Sequence, residues 1–255
     1  MGEAIEKQAQ TQPAQPRSAL GPGPPALSVG GLTPLTTIDY PGELAAVVFC
    51  QGCPWRCRYC HNAHLAGRDA APNLAWADVV RFLTSRRGLL DAVVFSGGEP
   101  TAQRGLGAAM RTARALGFKV GLHTAGCYPE RLRVVLPLVD WVGFDIKALP
   151  ERYTELTGVA GSGERAWESL GVLLASGVAH EVRITVHGEL LPRAEADWLV
   201  DRVRRAGARE IVLQNAKTGA MLDPTLGPNP ARWLLEDRQP VFYKGITSRR
   251  LAGAE

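Results

Sequence analysis

Residues 45–60 have the sequence AAVVFCQGCPWRCRYC, in which a short apolar run leads into a loop that carries most of the chain's cysteines. The run Ala45–Phe49 has the length and composition of a buried β-strand. The loop after it holds Cys53, Cys57 and Cys60 in a C-x3-C-x2-C pattern. Thiolates are soft ligands that suit iron–sulfur clusters, and three of them leave one iron of a four-iron cluster without a protein ligand. The loop therefore predicts a [4Fe–4S] cluster with one open iron.

A four-ligand site is an alternative, because Cys50 extends the pattern to C-x2-C-x3-C-x2-C. Such a set could bind zinc or a closed, ferredoxin-type cluster. Zinc sites usually have more residues between their two cysteine pairs than the three found here. Cys50 is also the last residue before the loop, where a buried thiol packs as a small apolar group. The fifth cysteine, Cys127, stands alone and is predicted to be an inert packing residue.

The composition is that of an ordinary globular protein, with 45% hydrophobic and 21% charged residues among 255. The net charge is +4, but the basic residues are dispersed, so we expect no nucleic-acid partner. We expect no membrane partner either, since no apolar stretch reaches the length of a span. The N-terminus lacks the apolar core of a signal peptide, and the cysteines cluster at one site. These features predict a cytoplasmic protein.

Short apolar runs alternate with segments of helical period beyond residue 28, which predicts parallel βαβ units. Six such units favour either an incomplete (β/α) barrel or an open, doubly wound sheet. Residues 1–28 are rich in Pro, Gln and Ala, and we predict a disordered tail there, followed by a single domain over 29–255. The predicted strands are Ala45–Phe49, Ala92–Phe95, Val120–His123, Trp141–Phe144, Val182–Val186 and Ile211–Gln214, and the predicted helices lie near 74–86, 104–116, 130–137, 165–176 and 194–206.

Polar or glycine-rich residues follow each predicted strand. In a parallel barrel the carboxyl ends of the strands share one face, and active sites form on that face. The cysteine loop follows the first strand, and a Gly97-Gly98 pair that lets the backbone approach a ligand closely follows the second. Asp145 and Lys147 end the fourth strand and point the same way, so they could pair with each other or grip a zwitterionic ligand.

The cysteine loop and Gly97-Gly98-Glu99-Pro100 together resemble the two hallmark motifs of the radical S-adenosylmethionine (SAM) superfamily. Within it, residues 35–42, 51–53 and 60–62 resemble the activating proteins of anaerobic ribonucleoside-triphosphate reductase, which are glycyl-radical-enzyme activases. The resemblance runs from about residue 31 to residue 217. It implies an α/β fold of the radical SAM type, a partial (β/α)6 TIM-like barrel that is open on one side for a large substrate.

The resemblance also implies a site and a reaction. Cys53, Cys57 and Cys60 would hold the cluster and make it catalytic, and its open iron would bind SAM. One electron from flavodoxin or ferredoxin would split SAM into methionine and a 5′-deoxyadenosyl radical, which would take hydrogen from a glycine of the partner enzyme. The residues implied to border SAM are Tyr59, His61, Gly97, Gly98, Glu99, Asp145, Ile146 and Lys147.

Two other functions stay open at this stage. One is a radical SAM enzyme of another kind, acting on a peptide or on a small purine-like substrate. The other is a non-enzymatic iron–sulfur electron carrier or zinc module that uses all four clustered cysteines. A departure from the resemblance also matters: His123-Thr-Ala-Gly126 stands where pyruvate formate-lyase activase has Asp-Thr-Asn-Gly, so a cation site built on that Asp is not expected.

Overall fold

The protein is described by a computed structural model over residues 26–67, 73–217, 221–231 and 248–251. Most of the predicted N-terminal tail, residues 1–25, lies outside these ranges. Its last residues lie against the folded chain, since Leu27 is buried and the Ser28 N–H donates to Oε1 of Gln103 at 3.2 Å.

One eight-stranded sheet forms the centre of the fold, with its strands in sequence order from β1 to β8. Strands β2 to β7 are parallel, whereas β1 and β8 run antiparallel to their neighbours at the two edges. No ladder among the described residues joins β1 to β8, so the sheet stays open. The strands are β1 (Val29–Thr36), β2 (Ala45–Cys50), β3 (Ala92–Gly97), β4 (Lys119–Thr124), β5 (Trp141–Asp145), β6 (Ala179–Val186), β7 (Ile211–Asn215) and β8 (Ser248–Leu251).

Helices follow the parallel strands and bury one face of the sheet. Strand residues such as Val93 and Val120 share the larger core with Leu83 and Met110 of the helices. No helix among the described residues is long and apolar enough to cross a membrane. The helices are α1 (Trp76–Ser85), α2 (Leu106–Ala115), α3 (Pro129–Val135), α4 (Tyr153–Thr157), α5 (Ser162–Ser176) and α6 (Arg193–Arg205).

The opposite face of the sheet carries a smaller core built around Trp141. Tyr40 stacks on this ring with a centroid separation of 5.2 Å, and His123 approaches it edge-on at 5.7 Å. The guanidinium carbon of Arg183 lies 5.2 Å from the same ring. A Cβ at Gly143 would lie 2.6 Å from that guanidinium carbon, so the glycine makes room for a partly buried arginine on this face.

The predicted partial barrel is confirmed, and each of the six predicted strands lies within one of the parallel strands β2–β7. The five predicted helices are also present, with ends shifted by a few residues. Strand β1 was not predicted, because Gly30, Gly31 and Pro34 interrupt its apolar pattern. Such residues are tolerated at a sheet edge, where one side of the strand needs no ladder partner.

Candidate active site

The start of the cysteine loop packs directly against the end of β3. The Gly98 N–H donates to the Cys50 carbonyl at 2.9 Å, and the Glu99 N–H donates to the Gly52 carbonyl at 3.0 Å. A Cβ on Gly97 would lie 2.5 Å from the Cys50 nitrogen, and one on Gly98 would lie 2.3 Å from the Gly52 oxygen. The glycine pair therefore allows the backbone at the end of β3 to contact the backbone at the start of the cysteine loop. The close backbone contact that the missing Cβ atoms allow is therefore with another segment of the same protein chain.

The three cysteines of the loop lie near one another at the carboxyl edge of the sheet. The Cys60 N–H donates to the Cys57 carbonyl at 2.9 Å, which closes a tight turn between two of them. Burial raises the pKa of the Cys57 thiol to about 12, and repulsion from the neighbouring Cys53 and Cys60 adds to this effect. Burial also raises the pKa of Cys60. Thiolates in such a place need a bound cation, and the iron of a cluster would supply one.

Cys50 belongs to a strand and not to the loop. It is the last residue of β2, is fully buried, and has a pKa raised by burial. Within the described ranges no three His, Cys, Asp or Glu side chains surround a single-ion position. A tetrahedral zinc site needs its ligands around one metal ion, whereas a [4Fe–4S] cluster takes each thiolate on a different iron. The spacing of only three residues between the two cysteine pairs argues against the zinc alternative.

Cys127 was predicted to be inert packing, and the structure gives it a position that the sequence did not suggest. It is buried beyond the end of β4, and its thiol is hydrogen-bonded to that of Cys53. This hydrogen bond lowers the pKa of Cys53, whereas burial raises the pKa of Cys127. The two residues are 74 positions apart in sequence, and no spacing rule links them.

The Glu99 carboxylate joins the ends of β3 and β4. It is 1% exposed and accepts hydrogen bonds from Thr101 N and Oγ1 at 3.0 and 2.6 Å. It also accepts from Thr124 Oγ1 at 2.6 Å and from Ala125 N at 3.0 Å. Four donors satisfy this buried charge within the protein. The side chain therefore stabilises the site's framework, and a cofactor contact from Glu99 would have to come from its backbone.

Asp145 and Lys147 form the predicted pair at the end of β5. Nζ of Lys147 lies 3.2 Å from Oδ2 of Asp145, and the lysine side chain is only 11% exposed. The same nitrogen lies 5.7 Å from the centre of the Tyr59 ring in the cysteine loop. The Lys147 N–H donates to the Tyr153 hydroxyl at 2.9 Å. The pair is thus fixed beside the cysteine loop rather than solvated.

The remaining predicted site residues differ in what they offer. Ile146 has a fully buried side chain, and its N–H donates to the Arg183 carbonyl at 3.0 Å, so its side chain does not reach the site. His61 is exposed just after the loop. Tyr59 and Trp55 are buried, and the Tyr59 hydroxyl and Trp55 Nε1 have no hydrogen-bond partner among the described residues. Buried polar atoms of this kind are often satisfied by a ligand or by water.

Residues 47–194, more than half of the chain, match the model of the Radical SAM superfamily, and the protein belongs to that family. Its cofactors are accordingly a [4Fe–4S] cluster and SAM. The three neighbouring thiols, the shielded ammonium of Lys147 and the unpartnered Tyr59 hydroxyl suit these groups. Thiols, an ammonium and a phenol are the residue chemistries that could bind iron and the polar groups of a charged nucleoside.

Curated relatives match about half of the chain. A protein of Methanocaldococcus jannaschii, provisionally named a glycyl-radical enzyme activating enzyme, is 34% identical over 53% of this chain and 57% of its own length. The 7-carboxy-7-deazaguanine synthase of Thermococcus kodakarensis is 29% identical over 54% of this chain and 62% of its own. The pyruvate formate-lyase-activating enzyme of Clostridium pasteurianum is 30% identical over 53% and 60%. The chain thus spans less than two thirds of each relative.

A solved structure supports the fold independently. The structure of TYW1 with a lysine–pyruvate adduct bound superposes with a TM-score of 0.57 at 13% identity, over 82% of this chain and 79% of that one. At this level of identity the likeness concerns the architecture alone.

Proposed function

We propose that the protein is a glycyl-radical-enzyme activase, which cleaves SAM reductively at its cluster and installs a glycyl radical on a partner enzyme. The observation that carries the proposal is the placement of the Cys53–Cys60 loop beside the partly buried Asp145–Lys147 pair, at the carboxyl edge of an open sheet. The similarity to the M. jannaschii and C. pasteurianum proteins supports the activase class. The residue similarities quoted above favour anaerobic ribonucleoside-triphosphate reductase as the partner.

The roles of the chain's own residues follow from chemistry. Cys53, Cys57 and Cys60 would hold the cluster, which would supply the electron for the reductive cleavage of SAM. Asp145 and Lys147 present opposite charges to the polar groups of SAM, and Tyr59 offers a ring and a hydroxyl beside them. The backbones of Gly97, Gly98, Glu99 and Ile146 and the exposed His61 complete the proposed SAM border.

The open sheet supports a polypeptide substrate, because a glycine within a partner enzyme must reach the site as part of a chain segment. By contrast, a closed eight-stranded (β/α) barrel has a packed interior and admits substrate only from its end. Flavodoxin or ferredoxin is the proposed electron donor, as a one-electron reductant that the cluster requires.

The test uses anaerobically reconstituted protein with SAM, a reductant and the purified reductase. We expect 5′-deoxyadenosine to form and the electron paramagnetic resonance (EPR) doublet of a glycyl radical to appear on the reductase. Cys57→Ala should abolish both signals, and replacing the target glycine by alanine in the partner should abolish only the radical. A cluster that forms 5′-deoxyadenosine while no glycyl-radical enzyme acquires a radical would contradict the activase proposal.

A second candidate is a radical SAM enzyme that acts on a small purine-like substrate, and the similarity to the T. kodakarensis synthase favours it. In that case 5′-deoxyadenosine formation should depend on the small substrate and should not change when the reductase is added.

The Cys50→Ala variant distinguishes both candidates from an electron carrier that uses four cysteines. We expect this variant to keep its iron, because Cys50 belongs to strand β2 and not to the loop that carries Cys53, Cys57 and Cys60.

A further inference from the structure

The segment 221–231, which we call the strap, lies across the cysteine loop. The Leu222 N–H donates to the Cys60 carbonyl at 2.9 Å, and the Asp223 N–H donates to the Arg58 carbonyl at 2.9 Å. The Arg58 guanidinium donates through Nε to Oδ2 of Asp223 at 2.7 Å. Two backbone hydrogen bonds and an ion pair therefore join the strap to the stretch that connects two of the cluster ligands.

The end of α4 also holds this stretch. The Arg56 N–H donates to the Thr157 carbonyl at 2.9 Å, and the Arg58 N–H donates to the Leu156 carbonyl at 3.0 Å. Residues 56–60 thus have two sets of backbone partners, the end of α4 and the strap. A loop without such partners would lose its shape readily, because fixing each residue's backbone costs about 1–2 kcal/mol of conformational entropy.

The strap is anchored at its other end on the carboxyl end of β6. The Asn229 side chain donates through Nδ2 to the Val186 carbonyl at 2.7 Å and accepts from the Gly188 N–H at 2.9 Å. His187 is fully buried, and its Nε2 lies 3.2 Å from the Gly227 carbonyl. Backbone groups of Val186 and Gly188 and the His187 ring therefore hold this end of the strap.

Asp223 is fixed within the strap before it meets the loop. Its Oδ1 accepts from Thr225 N and Thr225 Oγ1 at 2.9 and 2.6 Å, which leaves Oδ2 for Arg58. The side chains of the ion pair are 35% and 20% exposed, so solvent weakens it. Its contribution comes from acting together with the two backbone hydrogen bonds that flank it.

We propose that the strap is a latch that holds the cysteine loop in the shape that binds the cluster, and that Asp223 is a positioning residue for that loop. Release of the latch lets residues 56–60 move, and two thiolates then leave the geometry in which they hold iron. The inference rests on cluster binding by Cys53, Cys57 and Cys60 and is independent of which substrate the enzyme attacks.

The test compares the rate at which anaerobic, cluster-loaded variants lose iron to an added chelator, followed by the cluster's visible absorbance. Asp223→Asn keeps an oxygen for Thr225 and removes the charge that Arg58 meets. We expect about fivefold faster loss, in keeping with a partly exposed charge pair that supports backbone hydrogen bonds. Arg58→Gln should behave alike, and the double variant should be no worse than either single one. Asp201→Asn, which removes an exposed helix ion pair with Arg205, is the matched control.

Hydrogen exchange gives a readout that general loss of stability would not reproduce. The Leu222 and Asp223 amides should exchange faster in Asp223→Asn, while the thermal unfolding midpoint stays within the range of the Asp201→Asn control. Equal rates of iron loss in wild type and Asp223→Asn would overturn the latch, as would faster loss with unchanged exchange at these amides. Because neither readout involves glycyl radical formation, failure of the activase proposal leaves this test intact.

Discussion

The ammonium nitrogen of Lys147 lies 5.7 Å from the centre of the Tyr59 ring and 3.2 Å from Oδ2 of Asp145. The lysine comes from the end of β5 and the tyrosine from the cysteine loop, so this contact joins two motifs that are 88 residues apart. A cation beside an aromatic face and a carboxylate is stabilised in its charged form even where water is scarce. The site therefore presents a fixed positive charge next to the cysteine loop.

Lys147→Met should weaken SAM binding without loss of iron, because methionine keeps the apolar stem but removes the ammonium. We expect a loss of about tenfold or more in affinity, the scale of a charge-assisted hydrogen bond. Equilibrium binding of SAM to the loaded protein measures it. Tyr59→Phe is the companion variant: since its hydroxyl has no partner among the described residues, the SAM-free protein should be no less stable. Unchanged SAM affinity in Lys147→Met would remove Lys147 from the cofactor site.

Tyr153→Phe should loosen the Asp145–Lys147 segment. The Tyr153 ring is fully buried and packs edge-on against Trp55, and phenylalanine preserves this packing. The change leaves the Lys147 N–H without its acceptor, which costs about 1–3 kcal/mol for a buried donor. Chemical denaturation measures the free energy of unfolding, and SAM affinity should fall in the same variant. If the free energy of unfolding falls by the expected amount while SAM affinity stays normal, Tyr153 supports only the fold.

Gly98→Ala should disrupt the root of the cysteine loop. A Cβ there would meet the Gly52 carbonyl oxygen at 2.3 Å, and backbone on both sides leaves little room for adjustment. We expect a destabilisation of more than about 2 kcal/mol together with reduced iron content. Gly171→Ala, in α5 with no atom within 4 Å of the new Cβ, is the control and should stabilise the helix by up to about 1 kcal/mol. Normal iron content in Gly98→Ala would contradict this account of the glycine pair.

Cluster-free protein should react with iodoacetamide fastest at Cys53 among the three cluster cysteines. The hydrogen bond with Cys127 lowers the pKa of Cys53, so its thiolate fraction near pH 8 exceeds that of an ordinary cysteine. Cys57, with a pKa raised to about 12, should remain a thiol and react slowly. Rates at every site should rise with pH, and Cys127→Ala should slow Cys53 by raising its pKa. Mass spectrometry of the alkylated peptides measures each rate, and an unchanged Cys53 rate in Cys127→Ala would refute the proposed contact.

The sequence by itself determined the six parallel strands and the placement of the motifs at their carboxyl ends. The reason is that hydrophobic period is a local property: buried strands such as Ala92–Gly97 and amphipathic helices such as Arg193–Arg205 have it within their own residues. Parallel order then brings Cys53–Cys60, Gly97-Gly98 and Asp145–Lys147 to one edge, whatever the exact ends of the strands.

Only the tertiary structure decided which of these groups touch and which serve the framework. It places Cys127 beside Cys53 and gives the Glu99 carboxylate four hydrogen-bond donors from the protein. It pairs Asp223 with Arg58. It also added β1, whose glycines and proline carry no strand pattern. Such contacts join residues far apart in the chain, and their partners depend on how the loops pack above the sheet. No local period encodes that packing, because it is set by the shape of the whole edge.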